Sequence, residues 1–314
     1  MMVNSSISLF LYFILNSLAM NLLRIYLLVF IAFISQICHS QQKRALMVGI
    51  SNYDLETTGW DAIHGAEDIE LLSPELERQG FQVTALINEE ATHDNIVATM
   101  ELFSRETQQG DIVYIHFSCH GQPFEDGLNG NELDELDGWD EALIPIDAMS
   151  KYNAGGYTGD KHIIDDSLNV YFTQLREKVG SKGMVYVALD ACHSGTMSRN
   201  GLTPSTVRGT IQGFTASGKR FRKSFNPTRH YSVTKSDNLA PILFLEACRA
   251  SEQNMELTID GKEYGSVTYN VLQSIKQRPL GVDGRQFVDD FINSTQQPGH
   301  WNSTQHPVIE SSFE

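Results

Sequence analysis

The sequence predicts an α/β fold: one domain with a mainly parallel sheet of about six strands and helices on both faces. Three observations carry this. Short apolar runs alternate with stretches of helical periodicity from Arg44 onward. The runs are apolar throughout instead of at every second residue, as strands covered on both faces are. No internal repeat or low-complexity linker interrupts the series.

The elements follow in order. Arg44–Ile50 is a short buried strand ending at a Ser-Asn turn. Asp61–Gln79 places Ile63, Ala66, Ile69, Leu72 and Leu76 at helical spacing, with Gly80 as its stop. Phe81–Ile87 is the second strand. Thr92–Arg105 is a helix with Thr92 as N-cap and Ile96, Met100 and Phe103 on one face. Asp111–Phe117, Gly183–Leu189 and Pro241–Glu246 are further strands, and Pro307–Glu310 is a short last one. Helices are predicted over Asp166–Lys178, Ser266–Gln277 and Arg285–Ile292.

Composition narrows the function classes. The 314-residue chain is 41% hydrophobic and 20% charged, enough apolar material for a core. Its net charge of -16 argues against nucleic acid as a partner. Four cysteines (Cys38, Cys119, Cys192, Cys248) are too few and too irregular for a disulfide scaffold or a zinc site.

Residues 1–40 differ from the rest. They carry one charge, Arg24, ahead of the apolar run Ile25–Ile34, and Cys38-His39-Ser40 ends in a small residue. This predicts a signal peptide cut near Ser40, with Met20 as an alternative start, and hence export to the periplasm or outside the cell. The alternative is an uncleaved membrane anchor. Residues 41–314 form the folded domain.

Two long segments break the strand–helix rhythm, and both leave the carboxyl ends of strands, where open parallel sheets bind ligands. Gln122–Gly159 is rich in Gly, Asp and Glu. Thr196–Leu239 is poor in strands, and between Arg199 and Lys235 it holds eight bases and no acid.

Chemistry-bearing residues stand at two of those strand ends. One strand breaks at Ser118-Cys119-His120-Gly121 and another at Asp190-Ala191-Cys192-His193-Ser194-Gly195. If the strands are neighbours, His120 and Cys192 meet in one crevice. An imidazole there takes the thiol proton, and the amides of Gly121 and Cys192 face a developing oxyanion. Cys119 and Cys248 read as buried small apolar residues, and His116 as a satisfied core histidine.

A strand ending in S-x-H-G, then DGWDEALIPID, then a strand ending in DACHSG, resembles the caspase-like cysteine peptidases, in the metacaspase and paracaspase branch and its bacterial form. The resemblance runs from Ala45 to Val308. It implies a single caspase-like domain with His120 and Cys192 as catalytic dyad. It implies cleavage of peptide or protein substrates after Arg or Lys, the basic side chain held by Asp68, Asp190 and Glu252. Three clustered carboxylates call for a cation, and a guanidinium can be gripped at two points where an ammonium cannot.

The resemblance also implies calcium, on Asp147 and the pair Asp165-Asp166, although Arg199 stands where the family has a further acid. Those two aspartates also suit the first turn of a helix. Cleavage in the loop after the nucleophile accompanies activation in the family, and GKRFRKSF offers Arg220, Arg222 and Lys223 as self-cleavage points. The expectation is therefore an exported Cys–His endopeptidase with no required cofactor. Its rivals are a catalytically silent caspase-like adaptor and a relative of gingipain or legumain type.

Overall fold

The computed structural model describes residues 12, 16–27, 41–130, 137–192, 206–222, 231, 233–249 and 252–313. Contacts divide the chain into two units, Met1–Gln41 and Gln42–Glu314. The first is helical and exposed over 16–27. No helix among the described residues is long and apolar enough to cross a membrane. The expected cleavage point at Ser40, and most of the apolar run before it, lie outside the described residues.

The second unit is built on a six-stranded sheet. Its strands are β1 (Lys43–Gly49), β2 (Phe81–Ile87), β3 (Ile112–Ser118), β7 (Met184–Asp190), β8 (Ile242–Glu246) and β11 (Val308–Ser311). In spatial order they run β11-β8-β7-β3-β1-β2, all parallel except β11, which pairs antiparallel with β8.

The helices are α1 (Gly65–Arg78), α2 (His93–Glu106), α3 (Asp165–Val179), α4 (Ser266–Gln277) and α5 (Arg285–Thr295). Each central strand sends alternate residues to opposite faces, the period-two geometry of a strand. Leu46 and Val48 of β1, Val113, Ile115 and Phe117 of β3, and Val185, Val187 and Leu189 of β7 share one core with α2 and α3. Ala45, Met47, Ile112, Tyr114, Met184, Tyr186 and Ala188 share the other with α1, α4 and α5. Burial on both faces is why these strands read as unbroken apolar runs. Thr92 caps α2 as expected, its side-chain oxygen accepting from the Asn95 N–H at 3.3 Å.

Two small sheets lie outside the predicted strands and helices. Within the segment read as loop, β4 (His120–Glu125) and β5 (Trp139–Ile144) pair antiparallel, and β6 (Ile163–Ile164) adds two residues. Gly121 and Pro123 in β4 and the acids around β5 hide any alternation, so tertiary pairing decides here. The strands β9 (Leu257–Ile259) and β10 (Lys262–Tyr264) form a hairpin across Asp260-Gly261. Both turn residues have positive φ, 51° and 78°, as a two-residue Asp-Gly hairpin turn requires.

Candidate active site

Strand register brings the two halves of the motif together. β3 lies beside β7 with Ser118 paired to Asp190, so His120 and Cys192 each stand two residues past the same rung on neighbouring strands. Gly209 sits between the two strand ends. It forms a parallel bridge with Cys192, and at its φ of 137° a side chain would run into the Cys192 carbonyl and lie 3.0 Å from the Gly121 oxygen.

The His120 ring is oriented by its surroundings. It stacks on Trp60 with centroids 4.8 Å apart and meets Tyr53 at the same distance. Its Nε2–H donates to the Asp61 carbonyl at 2.8 Å, which fixes the tautomer with an unprotonated Nδ1. Nδ1 is buried and makes no hydrogen bond among the described residues. Burial pushes the imidazole down to about 4, against the pull of the Asp61 carbonyl, and Arg208 pushes the same way as burial. At neutral pH this is a neutral base with an open lone pair.

Of the other described cysteines, burial pushes the Cys119 thiol up to about 12. Cys248 is raised too, first by its contact with Cys192 and then by burial. Its Sγ lies 3.3 Å from that of Cys192, and the Cys192 thiol donates to the Glu252 carbonyl at 3.2 Å. Neither Cys119 nor Cys248 supplies a ready thiolate.

Beyond Cys192 the chain lays one of its own arginines into an acid-lined pocket. Arg208 is fully buried. Its Nη1 donates to Asp68 Oδ2 at 2.7 Å and Ser118 Oγ at 2.5 Å, and lies 3.7 Å from Asp190 Oδ1. Its Nε donates to Glu256 Oε1 at 2.9 Å, and Nη2 lies equally close to that oxygen. The backbone around it behaves as an added strand. Arg208 N–H donates to the Asn254 carbonyl, Glu256 N–H donates to the Thr206 carbonyl, each at 3.0 Å, and Val207 bridges Met255 antiparallel.

The pocket walls are held from behind. Asp68 Oδ2 also accepts from Ser118 Oγ at 2.6 Å, and Oδ1 accepts from the Gly265 N–H at 2.9 Å. Asp190 accepts from Asn254 Nδ2 and from the Thr268 amide and hydroxyl at the start of α4. A side chain at Gly265 would strike the Asp190 carboxylate and lie 2.6 Å from Arg208 Nη1, so that wall must be glycine. Burial raises Asp68 to about 6, Arg208 pulls it back and Asp190 pushes it up. Burial also opposes ionisation of Glu256, yet Arg208 and then His64 hold it below the usual range.

The sequence-predicted residues divide. His120, Gly121 and Cys192 stand at neighbouring strand ends, with the Cys192 thiol on the Glu252 carbonyl, and Asp68 and Asp190 meet in the pocket. Glu252 does not join them: its carboxylate accepts from the His306 N–H at 2.7 Å and meets His306 Nδ1 at 2.7 Å, while Glu256 takes the place on the cation. Of the expected self-cleavage residues, Arg220 and Arg222 are exposed and outside the pocket, and Lys223 lies outside the described residues, as does His193. Arg208, Ser118, Glu256 and Gly265 were missed as pocket residues.

The acids expected for calcium lie at the starts of α2 and α3. Asp147 Oδ1 accepts from the His93 N–H at 2.8 Å, its Oδ2 lies 3.9 Å from Lys161 Nζ, and Asp165 and Asp166 open α3. Among the described residues, the group of three whose ligand atoms lie within 4.8 Å of one another is His64, Glu256 and Glu263. His116 is the satisfied core histidine expected, bonded to Tyr114 and Thr268.

Fold and site together define a caspase-like α/β protein, its thiol and imidazole at the crest of a parallel sheet. The description "Metacaspase, peptidase C14 domain" matches residues 43–199, half of the chain. Metacaspase-1 of Pyricularia oryzae is 22% identical over 86% of this chain and 72% of its own length. Metacaspase-1B of Aspergillus fumigatus is 25% identical over 70% of this chain, which spans 56% of that relative. A crystal structure of protein GSU0716 from Geobacter sulfurreducens superposes with a TM-score of 0.56 at 22% identity, covering 86% of this chain and 93% of that one. The chain belongs to the metacaspase family of C14 peptidases, and is by that membership a cysteine-type peptidase acting on proteins.

Proposed function

We propose that the protein is an endopeptidase cleaving after arginine or lysine, and that it carries its own first substrate. The observation that supports this is Arg208: a guanidinium laid among Asp68, Ser118, Asp190 and Glu256, with the next residue, Gly209, bridged to Cys192. A strand-like segment with its basic side chain in an acidic pocket is how an extended peptide would be read.

In this reading His120 Nδ1 accepts the Cys192 thiol proton. The thiolate attacks the carbonyl carbon of the residue whose side chain fills the pocket. Amides of Gly121 and Cys192 receive the oxyanion, His120 returns its proton to the leaving amine, and a thioester forms. Water, deprotonated by His120, then displaces the thiol and releases the acid. Every proton is accounted for by the imidazole, and no step needs a metal.

For this chain the first such bond is Arg208–Gly209, in place of the exposed Arg220 and Arg222. Until that bond is cut or the loop withdraws, the pocket is occupied and other substrates are excluded. The N-terminal segment is part of the proposal as a signal for export, with membrane attachment if it is not removed.

The test compares wild type with Cys192→Ala. Wild type should give a fragment beginning at Gly209 and cleave an Arg-containing fluorogenic peptide. Cys192→Ala should give neither, with turnover down at least about a thousandfold. A Gly209 fragment in both would show an outside protease at work and end the self-processing reading.

A further inference from the structure

We propose that Glu256 is the residue that makes this pocket prefer arginine to lysine. The inference rests on the reading of Arg208 as a basic side chain in the substrate position, and goes beyond it by naming the specificity determinant.

The pocket has two sides. Asp68 and Ser118 hold Nη1, with Asp190 behind them, and any cation that reaches this depth meets their charge. Glu256 works on a different edge. Its Oε1 lies 2.9 Å from both Nε and Nη2, the pair of nitrogens an ammonium does not possess. A lysine of the same reach ends in one nitrogen where arginine has its central carbon. It can reach one carboxylate cluster while leaving the other a buried anion that has lost its facing cation, which is costly.

Glu256 is built for this position. It is buried, and it lies on the backbone stretch that pairs with the peptide, its own N–H donating to the Thr206 carbonyl. Both its oxygens are fixed. The His64 backbone N–H donates to Oε1 at 2.9 Å, and the His64 Nδ1 sits 2.6 Å from Oε2. Burial opposes charge on His64, but Glu256 first, then Glu263 and Glu67, raise it above the usual imidazole range. His64 therefore acts as a positioning residue, seating the carboxylate so that Oε1 faces the guanidinium edge.

The experiment measures kcat/KM for a matched pair of peptides differing only in Arg or Lys at the cleaved position. It uses the purified full chain as wild type, Glu256→Gln and His64→Ala. Taking the ratio on one enzyme cancels any change in how often Arg208 vacates the pocket. Wild type should favour Arg. Glu256→Gln should lose about 10- to 100-fold on Arg, the value of a charge-assisted pair, and about threefold or less on Lys. The loss should sit in KM. His64→Ala should lower the ratio in the same direction by about threefold, and it decides the matter if Glu256→Gln fails to fold. An unchanged ratio in the folded variants, or equal losses on both peptides, overturns the assignment by making Glu256 part of the scaffold. Wild type cleaving neither peptide would instead overturn the underlying reading of the function.

Discussion

The crest that carries His120 and Cys192 and the segment that carries Arg208 hold the same site together by different means. The crest is fixed by register: seven rungs of β3 on β7 end at Ser118 and Asp190, with apolar side chains locked on both faces. The Arg208 segment is fixed by charge. Three carboxylates and a hydroxyl surround one guanidinium, and the backbone pairing beside it is two hydrogen bonds and a bridge. Packing of the first kind persists while the domain is folded. Pairing of the second kind can be exchanged for another cation without disturbing the sheet. A site that must be rigid in its chemistry and replaceable in its occupant needs both.

That contrast is most sharply broken by Arg208→Gln. It leaves Asp68, Asp190 and Glu256 buried around a neutral side chain, and removing one partner of a buried ionic cluster costs roughly 3–5 kcal/mol. For a domain of this size the midpoint of thermal unfolding should fall by about 10 °C. Agmatine, an alkyl guanidinium, should restore much of it by occupying the vacated pocket. Cys192→Ala at the crest should shift the same midpoint by about 3 °C or less, since only a small buried group is lost. A stable Arg208→Gln chain indifferent to agmatine would show that the cluster is not held by its cation.

The two regions were unequally legible in the sequence for the same reason. Apolar runs announced the central strands because burial on both faces is a local property of seven residues, and S-x-H-G and DACHSG marked where they end. Asp190 and Asp68 could be assigned because one stands beside the nucleophile and the other matches a family position. Arg208 was one of eight bases in a loop, and nothing local separates it from Arg220 or Arg222. Its partner Asp68 is 140 residues away. Glu252 and Glu256 are alike to a reader of the sequence, and only the path of the chain past His306 decides which of them faces the pocket. The Asp260-Gly261 turn, by contrast, was a visible hairpin signal between two short strand-like triplets, and was passed over.

A smaller effect separates the regions by pH. Asp68 sits at about 6 and His120 at about 4, both displaced chiefly by burial. Above its value Asp68 is an anion, which on the proposed reading attracts a substrate cation, and below it the carboxyl is neutral. As pH falls through 6, KM for an Arg peptide should therefore rise, by about fivefold between pH 6 and 5 for a single group. Emptying the pocket removes the guanidinium that pulls Asp68 down, so the loss starts at no lower pH than this. His120 stays an unprotonated base until about pH 4, so kcat should hold over the range in which KM climbs. Initial rates at several substrate concentrations from pH 4 to 8 separate the two. A parallel fall of kcat from pH 6 would place the titrating group at the crest instead of in the pocket.

The smallest effect expected is that of a calcium chelator. A calcium ion takes six to eight oxygens at 2.3–2.6 Å, so its ligand atoms must gather around one point. Asp147 instead spends one oxygen on the first amide of α2 and turns the other toward the Lys161 ammonium, while Asp165 and Asp166 favour the positive end of α3. Neither the His120 base nor the pocket anions need a second charge to work, because burial and the guanidinium already set them. Cleavage of the Arg peptide by the self-processed chain should thus change by less than about twofold between excess EGTA and millimolar calcium. A large gain on adding calcium would mean that these acids regroup once the Arg208 segment is released. The charge-held region would then reach as far as the start of α3, well past the pocket that Arg208 fills.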